Sequence, residues 1–304
     1  MKKKTKILIG VLVPVVILAP LVGLLVTGYQ IGWGPFSSLQ WYNSNCYTFS
    51  DQKSDYKIID KEIKGKNGTI RGKLYYVEKK EKQPLVVFSH GLNTTMITLH
   101  TTCQSLASSG ISVFSFDYCG GATNSSSDMS SKDMSILTER QDLNDVLDEA
   151  KTWDEFDSSK ISVAGYSQGG LVAAITAKER DDIYRLNLVY PAFMMYDEIR
   201  MRYPTVDLIP DEQMRNGLLT GKAYYKDIVE FPTDDIEAYC ASYQGETLFI
   251  HGTNDMAVYY GYSVRANELY PNSSLISIPG AGHGFTGEDE KTCIKAQYEF
   301  FSEE

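Results

Sequence analysis

The sequence predicts an α/β fold in which a mostly parallel β-sheet is flanked by helices on both faces. Apolar runs rich in β-branched residues alternate with amphipathic stretches along the chain, which is typical of such sheets. The 304 residues are 43% hydrophobic and 22% charged, an ordinary globular balance with ample apolar material for a buried core. The alternation is interrupted once, between Tyr190 and Thr247, where an inserted segment is expected.

The individual elements follow from residue type and spacing. Runs of β-branched and aromatic residues predict strands, the first two of which are expected to pair, and apolar residues at helical spacing predict helices. Gly110 ends the first predicted helix. The predicted strands are 56–63, 69–77, 84–89, 111–116, 161–164, 186–190, 247–250 and 275–278. The predicted helices are 99–108, 137–153, 171–177 and 289–301.

The inserted segment, about 194–246, contains three prolines and no clear strand. A structureless loop of this length is uncommon in a compact domain, so we expect a cap over the edge of the sheet. Its composition is acidic and aromatic. The aromatic residues include Tyr196, Tyr203, Tyr224, Tyr225, Phe231 and Tyr239.

The N-terminal region predicts a membrane anchor. Residues 7–27 are uncharged and almost wholly apolar, close to the roughly 20 residues that a transmembrane helix needs. Pro14 and Pro20 are tolerated in such helices, and the lysines before the run place the N-terminus in the cytoplasm. We therefore expect a signal-anchor over 1–28, a stalk over 29–55 and an extracytoplasmic folded domain over 56–304.

A cleaved signal peptide is the alternative for this region. Its apolar part would be roughly 7–15 residues long and would end in an A-x-A-like site. The run here is longer, Val26-Thr27-Gly28 is a poor cleavage sequence, and no cysteine follows it for lipid attachment. These features favour an uncleaved anchor.

Charge and cysteine content argue against nucleic-acid binding, a metal site and a disulfide framework. The net charge is −10, and four lysines precede the apolar run, so the rest of the chain is still more acidic and is expected to repel nucleic acid. The five cysteines are scattered without a C-x-x-C pair, which argues against a metal site or a disulfide framework. A Cys103–Cys119 bridge stays open at this point.

The strongest chemical signal is the segment Gly-Tyr-Ser-Gln-Gly-Gly at 165–170, directly after a predicted strand and before a predicted helix. On such a tight turn a serine hydroxyl projects above the sheet, and small residues two positions away on each side let the backbone turn. The following helix N-terminus supplies N–H groups that favour negative charge. Ser167 is therefore a candidate nucleophile.

A serine nucleophile needs a base and a carboxylate that orients it. His283 lies in a glycine-rich loop after the last predicted strand, and Asp255 lies in the loop after the preceding one. Their order in the chain, Ser167 then Asp255 then His283, is one of the known triad orders. Glu288 or Asp289 could in principle replace Asp255.

A developing oxyanion needs two backbone donors. The candidates are the N–H of Gln168, after the nucleophile, and that of Leu92, in the loop after strand 84–89. His90 is expected to shape this loop, and His100 and His251 are expected to be structural.

Five segments together resemble the α/β-hydrolase superfamily: HGLN, FDYCGG, GYSQGG, HGTNDMAV and PGAGHGF. They are most similar to the bacterial branch that includes cinnamoyl and feruloyl esterases and serine aminopeptidase-like (S33-type) hydrolases. The resemblance covers roughly residue 56 to the C-terminus. It implies an eight-stranded α/β-hydrolase fold, a triad of Ser167, Asp255 and His283, and acyl transfer to water without a cofactor or metal.

Three functions compete. A carboxylic-ester hydrolase is favoured, and an aromatic cap suits an apolar or aromatic acyl group. An aminopeptidase is the second, because acidic cap residues can bind a free amino terminus. The third, a non-catalytic surface-binding protein on a hydrolase scaffold, is disfavoured by the complete set of candidate residues. The substrate would be a small ester or a short peptide, and the sequence leaves the oligomeric state open.

Overall fold

A computed structural model of the chain describes residues 46–302, and these residues contain one large and one small β-sheet. The large sheet has eight strands in the order β1-β2-β4-β3-β5-β6-β9-β10. Its strands are β1 Lys57–Gly65, β2 Gly68–Tyr76, β3 Gln83–Ser89, β4 Ser112–Phe116, β5 Phe156–Tyr166, β6 Arg185–Val189, β9 Glu246–Gly252 and β10 Ser273–Ile278. The small sheet pairs β7 Glu212–Arg215 with β8 Leu218–Gly221.

Parallel pairing dominates the large sheet. Six strands of this sheet are mutually parallel: β3, β4, β5, β6, β9 and β10. In contrast, β2 is antiparallel to β4, and β1 is antiparallel to β2. The mostly parallel eight-stranded sheet and the early hairpin are thus confirmed. In such a sheet the carboxyl ends of the parallel strands meet at one edge, where loops can bring distant side chains together.

Every helix predicted from the sequence is present. The helices are α1 His100–Ser108, α2 Ile136–Ala150, α3 Gln168–Glu179, α4 Met194–Arg202, α5 Lys222–Val229, α6 Ile236–Cys240, α7 Tyr260–Leu269 and α8 Glu288–Ser302. Helix α2 begins with a capping box, in which Ser135 and Thr138 exchange hydrogen bonds between side chain and backbone N–H. Its apolar face, including Leu143 and Val146, is buried against the sheet core.

Two apolar clusters cover the two faces of the sheet. In β3, Leu85 and Val87 belong to one cluster, while Val86 and Phe88 belong to the other. All four are at most 1% exposed, as expected for a central strand covered on both faces. Each such side chain contributes about 1.5–3 kcal/mol of burial free energy, so this packing fixes the sheet edge on which the loops rest.

The inserted segment folds into helices α4, α5 and α6, a short 3₁₀ helix at Val206–Leu208, and the β7–β8 hairpin. The sequence showed no clear strand in this segment, but the structure forms the β7–β8 hairpin there. Asn216 and Gly217 form the hairpin turn with φ of 46° and 77°, the left-handed conformation that a two-residue Asn-Gly turn adopts.

Part of the predicted stalk, residues 46–55, lies along α1. The N–H groups of Tyr47 and Phe49 donate to the hydroxyls of Ser105 and Ser109 at 3.0 and 2.9 Å. Within the described residues, 46–55 therefore belong to the same compact unit as the rest of the chain.

The predicted membrane anchor, 1–28, lies outside the described residues and stays a prediction. Across residues 46–302 there is no helix both long and apolar enough to cross a bilayer. Cys103 and Cys119 are buried free thiols, so the disulfide that the sequence left open is not formed.

Candidate active site

Ser167 occupies a strained turn between β5 and α3. Its φ of 53° and ψ of −120° are unusual for a residue with a side chain, and such strain is found at functional turns. The turn requires glycine on both sides. A Cβ on Gly165 would lie 2.4 Å from the carbonyl oxygen of Gly169, and one on Gly169 would lie 2.3 Å from that of His90. The sequence thus holds the Ser167 hydroxyl above the carboxyl end of the sheet.

Three side chains from separate loops form a continuous hydrogen-bonded chain. Ser167 Oγ lies 3.1 Å from His283 Nε2, and His283 Nδ1 lies 2.7 Å from Asp255 Oδ2. An ionised carboxylate can only accept, so Nδ1 carries the proton. In the neutral imidazole Nε2 is then an acceptor, and the Ser167 hydroxyl donates to it.

The Asp255 side chain is fully buried and hydrogen-bonded through both oxygens. Oδ1 accepts the N–H groups of Ala257 and Val258 at 2.8 and 2.9 Å, while Oδ2 accepts from His283. Burial by itself opposes ionisation. The hydrogen bonds from His251, His283 and Val258 outweigh it and hold the pKa of Asp255 well below its usual value. Asp255 is therefore a carboxylate at neutral pH.

The loop after β3 passes directly beside Ser167. A Cβ on Gly91 would lie 3.2 Å from Ser167 Cβ and 3.8 Å from Oγ, so glycine permits this approach. The N–H of Asn93 donates to the carbonyl of Gly121, in the loop after β4, and the N–H of Thr94 donates to the carbonyl of Gly91.

His90, 1% exposed, connects this loop with the one after β4. Its Nδ1–H donates to the carbonyl of Gly91 at 2.9 Å, and its Nε2 accepts the N–H of Tyr118 at 3.0 Å. His90 therefore shapes the loop that carries Leu92, in line with its expected role.

Gln168, the residue after the nucleophile, is held by partners from two elements. Its Nε2 donates to Glu139 Oε2 of α2 at 2.8 Å, and its Oε1 accepts the hydroxyl of Tyr224 of the cap helix α5 at 2.5 Å. All three residues are at most 1% exposed. Burial raises the pKa of Glu139 to about 8, and it raises that of neighbouring Asp142 to about 6. Glu139 is thus largely protonated at neutral pH.

Tyr190 and Phe285 form an apolar wall beside the imidazole. The Tyr190 ring centroid lies 4.5 Å from that of His283 and 5.0 Å from that of Phe285. Tyr190 also has a positive φ, 37°, at the turn that leaves β6. This packing restricts the orientation of the loop that carries His283.

The structure joins Ser167, His283 and Asp255 by hydrogen bonds, and the loop that carries Leu92 passes beside Ser167 at Gly91. Asp255, rather than Glu288 or Asp289, binds His283. His100 bonds to the Tyr75 hydroxyl at 2.8 Å, in agreement with a structural role.

Sequence reasoning missed the contributions of Glu139 and Tyr224. A signal for Glu139 existed, because it lies on the helix face that carries Ile136, Leu143 and Val146, where an apolar residue is expected. Nothing in the sequence singles out Tyr224 among the many tyrosines of the cap.

Comparison with known proteins bears on the fold and on the family resemblance. The family model described as serine aminopeptidase, S33, matches residues 80–209. Est1E from Butyrivibrio proteoclasticus, whose structure holds bound ferulic acid, is 26% identical, with a TM-score of 0.69 over 79% of this chain and 97% of that one.

Two more distant structures share the fold. A hyperthermophilic esterase from Pyrobaculum calidifontis is 20% identical, with a TM-score of 0.63 over 88% of this chain and 86% of its own. The enol-lactonase from Burkholderia xenovorans LB400 is 16% identical, with a TM-score of 0.60 over 80% and 100%. The resemblance to α/β-hydrolases, esterases among them, is thus confirmed.

Proposed function

We propose that this chain, which has the α/β-hydrolase fold, is a serine hydrolase that cleaves carboxylic esters. The observation that carries the proposal is the hydrogen-bonded chain Ser167–His283–Asp255, with Ser167 on a strained turn at the start of a helix. A hydroxyl, an oriented imidazole and a buried carboxylate in this geometry are the parts that nucleophilic acyl transfer requires.

The proposed reaction has two halves. Ser167 Oγ attacks the acyl carbon while His283 Nε2 takes its proton, and the N–H groups of Gln168 and Leu92 stabilise the oxyanion. The imidazolium then protonates the departing alkoxide, which leaves an acyl group on Ser167. Water attacks this acyl-enzyme with His283 as base, and the acid departs as Ser167 regains its proton. Asp255 orients the imidazole and stabilises its charged form throughout. No step calls for a metal or a cofactor.

An apolar or aromatic acyl group suits the site best. The wall of Tyr190 and Phe285 lies against His283, and Tyr224 reaches Gln168 from the cap. The similarity to Est1E, solved with ferulic acid, favours the same class of acyl group. We therefore propose hydroxycinnamate and short acyl esters as substrates.

Aminopeptidase activity is the second candidate. The family model described as serine aminopeptidase favours it, and so does an acidic cavity of about 480 Å³ in the cap region. Arg265 is the one basic residue among those that line this cavity, beside Asp197, Asp234, Asp235 and Glu237. Asp234 is ion-paired with Arg200, and Asp235 and Glu237 are ion-paired with Arg265, so a substrate amino group would compete with these two arginines. A non-catalytic binding protein, the third possibility, has no observation in its favour.

We also propose that the chain is anchored in a membrane by its N-terminal segment. The apolar run 7–27 and the lysines before it support a single-pass protein with a cytoplasmic N-terminus and an extracytoplasmic hydrolase domain. Protease digestion of intact cells should then remove the hydrolase domain. Full protection of the domain would contradict this topology.

A substrate panel tests the proposed function. The full-length protein is assayed with p-nitrophenyl acetate, butyrate and octanoate, with methyl ferulate, and with alanine p-nitroanilide, and Ser167→Ala serves as the control. We expect ester turnover that Ser167→Ala abolishes, with little on the anilide. Turnover of the anilide alone would favour the peptidase. Folded protein that is inactive on every substrate would refute the hydrolase proposal.

A further inference from the structure

A second imidazole contacts the same carboxylate oxygen that binds His283. His251, at the end of β9, is fully buried, and its Nε2 lies 3.3 Å from Asp255 Oδ2. His283 Nδ1 lies 2.7 Å from the same atom. Asp255 thus lies between two histidines, only one of which belongs to the proposed triad.

The neighbours of His251 fix the tautomer of its neutral imidazole. Nε2 lies 3.0 Å from the carbonyl oxygen of Val258 and also faces the Asp255 carboxylate. Both are acceptors, so Nε2 carries a hydrogen that the two share. Nδ1 lies 2.7 Å from the hydroxyl of Ser263, which is buried on α7. In the neutral imidazole this hydroxyl donates to Nδ1, which keeps the proton on Nε2.

We propose that His251 is a positioning residue for the reaction: its Nε2–H fixes the orientation and the effective charge of the Asp255 carboxylate towards His283. This inference rests on the proposed hydrolase function. A histidine in this place does more than fill space, because a leucine or methionine would leave the Val258 carbonyl and the Ser263 hydroxyl without their imidazole partner in the core.

In this arrangement the negative charge of the Asp255 carboxylate is shared between His251 and His283. A carboxylate that accepts an N–H on the side of His251 attracts the His283 imidazolium less strongly than one that lacks this donor. Removal of the His251 N–H therefore stabilises protonated His283, and the base is blocked by a proton at higher pH than in the wild type. Loss of orientation also lowers the turnover of the enzyme in which His283 is neutral.

The other titratable groups near this cluster are few among residues 46–302. Tyr190 packs against both histidines, and burial raises its pKa well above the usual value, so its hydroxyl stays neutral in the assay range. Glu290 and Cys293 of α8 also raise the pKa of Tyr190 through their charges. Burial in turn raises the pKa of Glu290 and that of Cys293. The Tyr260 ring lies edge-on to the His251 ring, with the two centroids 5.7 Å apart.

A matched pair of variants tests the proposal. His251→Gln can present an N–H near the position of Nε2, whereas His251→Met has a similar length and no donor. We measure kcat and KM of the full-length protein on its best ester from about pH 5 to about pH 9, where the acid limb reports the essential base. Circular dichroism and thermal unfolding verify folding.

We expect His251→Met to lower kcat about tenfold with KM little changed, and to move the acid limb upward by about half a pH unit or more. His251→Gln should recover most of the rate and the wild-type limb. A folded His251→Met protein whose limb stays in place, or equal losses in the two variants, would overturn the proposal, because a purely structural role lowers stability or rate without moving the limb.

Ser263→Ala provides the test if His251→Met does not fold. It removes the hydroxyl that holds the proton on Nε2 and leaves Asp255 untouched. A smaller upward shift of the limb is expected, and no shift overturns the inference. Failure of the His251 proposal can be distinguished from failure of the proposed hydrolase function. Wild-type protein without Ser167-dependent turnover refutes both, whereas active wild type with unmoved limbs refutes only the role of His251.

Discussion

The cap should tune the rate of the reaction through a single tyrosine hydroxyl. Tyr224 donates to Gln168 Oε1 at 2.5 Å, and Gln168 carries the proposed oxyanion donor on its backbone. Both residues are at most 1% exposed, so Tyr224→Phe leaves a buried amide oxygen without this partner. The Glu139 contact on the other end of the amide remains.

The size of the effect follows from the lost hydrogen bond. A buried acceptor left unsatisfied costs about 1–3 kcal/mol. Complete loss of an oxyanion donor lowers kcat by about 10²–10³. Because Tyr224→Phe shifts the donor without removing it, we expect kcat to fall about fivefold to tenfold with KM changed less than about twofold.

The adjacent tyrosine is the matched control. Tyr225 is also buried on α5, but its hydroxyl contacts Thr220 Oγ1 at 3.1 Å, within the cap. Tyr225→Phe should lower the melting temperature by a comparable few degrees, about 2–4 °C per kcal/mol, while kcat stays within about twofold of wild type. Both variants are assayed for kcat, KM and thermal unfolding. Equal effects on kcat in the two variants would refute the coupling of cap and oxyanion donor.

Three further predictions use the same protein. Burial raises the pKa of Glu139 to about 8, so its stabilising contribution is present below its ordinary pKa of 4.5 and is lost as the pH rises through about 8. Glu139→Gln should therefore melt at least about 2 °C higher than wild type above pH 8 and show a weaker pH dependence; parallel melting curves against pH would contradict this. Gly169→Ala places a Cβ 2.3 Å from the carbonyl of His90 and should destabilise the fold by about 2 kcal/mol or more in denaturant titration; a wild-type midpoint would show that the turn can relax. Asp255→Asn should lower kcat by about 10⁴ while the fold is retained, because an amide does not hold His283 in the required tautomer; near-normal turnover would exclude Asp255 as the orienting acid.

The architecture was predictable because the buried strands carry their own signal. Residues 85–88 of β3 and 161–164 of β5 are buried on both faces of the sheet, so they read as short, largely apolar runs. The turn at Ser167 and the loops with Asp255 and His283 each follow such a strand, and parallel topology brings their ends to one edge. The triad geometry therefore follows from local pattern and chain order.

Other features depend on contacts that local pattern does not encode. The Asn216-Gly217 turn was a readable hairpin signal, but the strands beside it have only four residues each and lack apolar alternation. His251 looked like an ordinary core histidine, since its relation to Asp255 emerges only when the chain turns back after β9. The contact between Tyr224 and Gln168 joins residues 56 positions apart, across the cap.

Covalent capture of Ser167 tests the central claim most directly. Full-length wild type, Ser167→Ala and His283→Ala are treated with a fluorophosphonate and, separately, with a slowly hydrolysed ester, and the adducts are mapped by peptide mass spectrometry. We predict a single adduct on the peptide that contains Ser167, absent from Ser167→Ala and formed far more slowly in His283→Ala. Adducts on another serine, or ester turnover that survives in Ser167→Ala, would contradict it.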